Sequence, residues 1–136
     1  MTRREKVEKV EERITEICED FNVKVPKIRF SKRMTRSLGH FKWQNILGLL
    51  VPEELAFSEE LLKYGDWVHI NYVVEHEVAH MIDFLMRGKS NHDDHFKEVC
   101  RMIGHNGGGY CTPSGLFAIY NERKRADKEG FGGAIR

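Results

Sequence analysis

His76, Glu77 and His80 stand in the order H-E-x-x-H, within a stretch whose apolar spacing predicts a helix. Two histidines four residues apart on a helix share one face, one turn apart, so both rings can reach a single ion. The glutamate after the first histidine falls beside that ion rather than on it, where it can take a proton from a metal-held water. Zinc-dependent peptidases use this arrangement. The plain alternative is a pair of core histidines bonded to backbone, with Glu77 in solvent. The neighbouring residues weigh against it. From Trp67 to Arg87 apolar side chains cover much of the helix circumference, and imidazoles and a carboxylate buried there need partners.

A catalytic zinc site usually takes three protein ligands and leaves one position for water. The longer pattern H-E-x-x-H-x-x-G-x-x-H would put a third histidine at position 86, where this chain has Met86. Glu98 would serve a site that takes an acid from a later helix. Two histidines lie closer to the motif. Asp93 and Asp94 favour a helix N-terminus, and Phe96, Val99, Cys100 and Ile103 give that helix an apolar face. His92 falls at its very start, where a ring can turn back over the preceding helix, and His95 falls one turn further on. Spacing alone does not separate His92 from His95.

Together these residues resemble the SprT-like metalloprotease family, whose signature is H-E-x-x-H, a short connection, then a histidine four residues before an aromatic in the next helix. His92 stands four before Phe96, so the resemblance assigns it the third ligand position. Upstream, Lys27-Ile28-Arg29-Phe30-Ser31 and Ser37-Leu38-Gly39-His40-Phe41, followed by a short apolar strand, look like the family's N-terminal half. The likeness runs over roughly residues 10 to 105. It departs from larger members in lacking the paired cysteines of a C-terminal zinc ribbon. It implies proteolysis of proteins on DNA, and association with DNA itself.

The expected machinery is a Zn2+ ion held by His76, His80 and His92, with Glu77 as general base and general acid in turn. The strand at Ile46 to Val51, or its neighbour, would offer an edge to an extended peptide. His40, Tyr72 and Tyr110 are candidates to steady the oxyanion. Two other readings stay open: a non-catalytic, zinc-stabilised module binding DNA or protein, and a metal-dependent hydrolase of a non-peptide bond.

These side chains must be positioned by a single domain, since 136 residues support one core with little to spare. A composition of 40% apolar and 32% charged residues fits a globular protein and argues against wholesale disorder. There is no apolar signal core or bilayer-length run, so a cytoplasmic, non-membrane, monomeric protein is expected. Cys18, Cys100 and Cys111 form no C-x-x-C pair, and core thiols are the default for the first two. A second metal site from Cys100, His105 and Cys111 is the sharper reading. Net charge is +1, which gives no bulk field toward nucleic acid. Lys27, Arg29, Lys32, Arg33 and Arg36 nonetheless cluster, as do Arg123, Lys124, Arg125 and Lys128. Each run is either a solvated face or a phosphate-neutralising one.

The predicted fold class is α+β. Val7, Val10, Ile14, Ile17, Cys18 and Phe21 recur at helical steps, giving an amphipathic first helix over roughly 3–21. Stretches 23–31, 38–44 and 46–51 read as three strands of a small sheet. Pro52-Glu53-Glu54 reads as the start of a short helix containing Leu55, Leu61 and Leu62. Asp66 and Gly88 bound the zincin-like active-site helix, and a ligand-bearing helix follows. The domain is expected over 1–122, with loops at Gly107-Gly108-Gly109 and a basic, Gly-rich tail over 123–136.

Overall fold

The first helix is fixed at its start by a reciprocal cap. Thr2 Oγ1 accepts from the Glu5 amide at 3.1 Å, and Glu5 Oε1 accepts from the Thr2 amide at 3.3 Å. In the computed structural model, which describes residues 1–105 and 115–135, this helix is α1, Arg3–Asp20. It buries Val10, Ile14, Ile17 and Cys18, four of the positions its periodicity points inward. Asn22, with φ of 53°, turns the chain out of it.

The chain then forms β1 (Lys27–Ser31), β2 (Gly39–Ile46) and β3 (Leu49–Ser58), in the spatial order β1-β3-β2. β1 runs parallel to β3, and β2 runs antiparallel to it. Two expectations are corrected here. The apolar run 46–51 is not one strand, because Leu47 and Gly48 both take positive φ (52° and 84°) and form a two-residue hairpin turn. The segment after Pro52 is not helical either, and Leu55 lies in β3. Central position overrides the local helix signal: Leu55, Ala56 and Phe57 are fully buried and pair with neighbours on both sides. Pro52 is tolerated because it faces Trp43, where the β2–β3 register shifts and the ladder is already interrupted. Ser58 ends the strand, and its Oγ caps the short helix α2 (Glu59–Tyr64) by accepting from the Glu60 amide at 3.1 Å.

Helix α3 (Trp67–Arg87) begins after Asp66 and stops at Gly88, whose left-handed φ of 74° lets its amide reach the Phe84 carbonyl at 2.7 Å. It packs on α1, β2 and β3 and on the next helix, α4 (Asp94–Ile103). The fold is α+β, with one core between α1, the sheet, α3 and α4. Helix α5 (Ala118–Ile135) replaces the expected loose tail. Tyr120 is buried, Arg123 pairs with Asp66 at 2.9 Å and Lys124 with Glu60 at 2.5 Å, so this segment docks beside α2. Gly107 to Gly109, Tyr110 and Cys111 lie outside the described residues. Among the described residues no helix is long and apolar enough to cross a membrane.

Candidate metal centre

One turn of α3 separates His76 from His80, and their ring centroids lie 4.8 Å apart. His92, just before α4, comes within 5.3 Å of the first ring and 4.9 Å of the second. One nitrogen from each of the three lies within 4.8 Å of the others, and the Nε2 atoms of His80 and His92 approach to 3.0 Å. Two imidazole nitrogens at that distance, with no proton needed between them, suit a shared cation. Burial, and then the nearby His92, push His80 down to about 4, so it is neutral as a ligand must be. Three imidazoles are a donor set that zinc accepts.

The third histidine arrives by a clamp that spacing arguments did not find. Arg87, in the last turn of α3, holds Asp83 through Nε and Nη2 at 2.8 Å each, and holds Asp93 through Nη1 at 2.9 Å and Nη2 at 2.6 Å. Asp93 also caps α4, its Oδ1 accepting from the Phe96 amide at 3.2 Å. One guanidinium thus ties the end of one helix to the start of the next, and His92 is carried over α3 as a consequence. Phe96, fully buried, stacks on the His80 ring at 4.2 Å. His95 is turned away from the cluster, and its Nδ1 donates to Asp83. Glu98 is exposed and paired with Arg101. Neither joins the imidazole group.

Ser90 links the clamp to the cluster. Its hydroxyl meets His80 Nδ1 at 2.7 Å, and it lies close enough to the Asp83 carboxylate to favour its charged form. With Nδ1 engaged by Ser90, Nε2 of His80 is the nitrogen that faces the other rings. Asp83 is fully buried; burial opposes its ionisation, but Arg87, Ser90 and His95 together hold its carboxyl below the usual range.

Glu77 has a different environment. Burial pushes its carboxyl up to about 7, and among the described residues no cation or hydrogen-bond donor reaches it. It borders a cavity of about 210 Å³ lined by Gly39, His40, Phe41, Trp43, Glu77, His80, Phe84 and Ser90. Gly39 is required there: a Cβ would meet Glu77 Cγ and Val73 Cγ1 at 2.9 Å each. The glycine lets β2 pass against the carboxylate. A larger hollow between α1 and α2 holds none of these groups.

Of the oxyanion candidates, His40 lines the cavity, with Nε2 3.5 Å from Glu54, whereas Tyr72 lies parallel to His76 at 6.3 Å and against His105 at 4.6 Å. Tyr110 lies outside the described residues. The second metal site gains no support from the two members that are described. Burial, and then the charges of Asp83 and Glu75, push the Cys100 thiol up to about 12, and His105 Nδ1 is engaged by Glu75 at 3.2 Å. The model of the SprT-like family matches residues 4–114 of the chain, a longer span than the motif-based likeness covers. No curated protein and no solved structure matches it.

Proposed function

We propose that this chain, which belongs to the SprT-like family, is a zinc-dependent endopeptidase with Glu77 as its general base. The observation that carries this reading is a half-buried carboxylate, without a partner among the described residues, that lines a cavity beside three converging imidazoles. His76, His80 and His92 would hold the ion. When bound, zinc supplies Lewis acidity, polarising a carbonyl and lowering the pKa of water.

Glu77 has a carboxyl near neutrality, so at physiological pH it can both accept the proton of an attacking water and return it to the departing amine. β2 lies at the edge of the sheet, and its start runs past Glu77 and His80. An extended peptide added along that edge would gain main-chain hydrogen bonds and bring its carbonyl over the site. His40, on the same strand, is the described side chain best placed to steady the oxygen.

Family membership extends the reading to substrates associated with DNA. The run of Lys27, Arg29, Lys32, Arg33 and Arg36 supports this less than its charge suggests, since Arg29 is bound to Glu54 at 3.0 Å. Among the described residues the metal group has three donors, whereas a structural zinc site closes with four. That favours catalysis over a purely stabilising ion.

Zinc-loaded protein should cleave an unfolded protein such as casein, or a protein bound to DNA, and a chelator should abolish the cleavage. Glu77→Gln should keep the metal and lose at least about 10²-fold in rate. Cleavage that survives chelation, or an active Glu77→Gln protein, would remove the peptidase reading. Metal-dependent folding and DNA binding without any cleavage would instead support the zinc-stabilised module.

A further inference from the structure

We infer that Phe41, Trp43 and Phe84 form a side-chain subsite that selects a bulky apolar residue next to the scissile bond, so that the substrate is polypeptide in an unfolded or locally opened state. The inference rests on the peptidase reading above and deepens it.

The three rings form one cluster. Phe41 and Trp43 stack with centroids 5.9 Å apart, Phe84 meets Phe41 edge-on at 5.4 Å, and Trp43 lies 5.0 Å from Phe84. Two come from β2 and one from α3, the same two elements that bring Gly39, Glu77 and His80 together. The cluster and the general base line a single cavity, so whatever fills the space against the rings also lies over Glu77. This identifies the occupant as the substrate rather than an unrelated partner.

Phe84 is buried, but Trp43 is half-exposed, at 50%. The core does not need that face of the indole, and tryptophan is the residue most enriched where binding energy concentrates. β2 is also an edge strand, where exposed aromatic surface invites pairing and is usually guarded by charge. Beyond Gln44 and Asn45 the hairpin tip is apolar, with Ile46, Leu47 and Leu49 all at least half exposed. The polar lining is confined to His40, Glu77, His80 and Ser90, and the faces of Phe41, Trp43 and Phe84 carry no group that hydrogen-bonds an Asn or Asp side chain. An apolar group the size of Leu or Phe would displace water from the ring faces.

An added strand presents alternate side chains to opposite faces. Selectivity should therefore be confined to one position of the peptide, with the residues on either side indifferent. Residues of this kind are buried in folded proteins. Such a subsite would admit a chain only where unfolding or local opening has exposed it.

The test uses zinc-loaded protein and peptides identical except for Leu, Phe, Asn or Asp at each position around the cleaved bond. At one position, kcat/KM for Leu or Phe should exceed that for Asn or Asp by about tenfold or more. In Trp43→Ala that ratio should fall to within about twofold, and Trp43→Phe should largely restore it. Equal rates for all four peptides in the wild type, or a ratio unmoved by Trp43→Ala, would overturn the subsite. If no peptide is cut, the peptidase reading fails, and binding then decides the subsite separately. With the Glu77→Gln protein, the Leu and Phe peptides should blue-shift tryptophan emission and the Asp peptide should not, and Trp43→Phe should erase the shift. An emission change independent of the peptide's side chain, or one that persists in Trp43→Phe, would count against it.

Discussion

Helix α3 carries three carboxylates, and the fold treats one of them differently from the other two. Glu75 is buried between Arg13, which reaches it at 2.6 Å, and His105 at 3.2 Å; Asp83 is buried against Arg87, His95 and Ser90. In both, burial alone would favour the protonated acid, but the donors outweigh it and hold the carboxyl low. Glu77, between them on the same helix, receives no such donor among the described residues and is pushed up to about 7. Paired carboxylates fix geometry; the unpaired one keeps a proton near the pH at which it must be exchanged. The contrast separates the groups that build the site from the group that would act in it.

The largest effect should come from stripping a paired carboxylate of its cation. Arg87→Met leaves Asp83 buried with its main partner gone, and should cost about 3–5 kcal/mol in chemical denaturation. Asp83 is ionised in the folded chain to lower pH than in the unfolded one, so the pair's stabilisation is present above about pH 4 and is lost as pH falls below it. The deficit of the variant should shrink over that acid range. A deficit under about 1 kcal/mol at pH 7 would mean that the clamp is a surface pair.

Ser90→Ala should act next most strongly, and on the metal rather than the fold. Without the hydroxyl, His80 Nδ1 loses its orienting partner, and zinc affinity should drop about 10–100-fold in a competition titration. Unchanged affinity would show that His80 is oriented by packing on Phe96 alone.

Glu77→Gln should move stability the opposite way from Arg87→Met. In the folded chain Glu77 keeps its proton up to about pH 7, against 4.5 for the unpaired acid. The folded state then binds more protons across that window, so its stability falls as pH rises through it. Gln cannot ionise. The metal-free variant should match the wild type below about pH 4 and exceed it by about 1–2 kcal/mol above pH 7. A variant less stable at every pH would place Glu77 among the structural carboxylates.

How much of this was legible in the sequence depended on distance along the chain. His76, Glu77 and His80 share one helix, where a 3.6-residue period fixes which side chains meet, and Asp66 and Gly88 mark its ends. β3 was not legible, because Pro52-Glu53-Glu54 carries a local helix signal that loses to pairing with strands on both sides. Spacing could not choose between His92 and His95. The choice is made by Asp83, which draws His95 to itself, and by Arg87, which positions Asp93. Arg87 stands four residues after Asp83 in the sequence, a pairing signal that was available, but its second hold on Asp93 was not. Gly39 carried a faint signal as an isolated glycine within an expected strand. The helix over Ala118–Ile135 was not legible because its glycines suggest a loop, while the partners of Arg123 and Lys124 lie more than fifty residues away.

The account turns on three imidazoles sharing one ion while Glu77 stays off it. X-ray absorption at the zinc edge of the loaded protein measures this directly. It should give three nitrogen ligands from imidazole and one light oxygen neighbour, with one imidazole lost in His92→Ala and none lost in His95→Ala. A sulfur neighbour, fewer than three imidazoles in the unmodified chain, or an imidazole lost with His95 instead of His92 would contradict it.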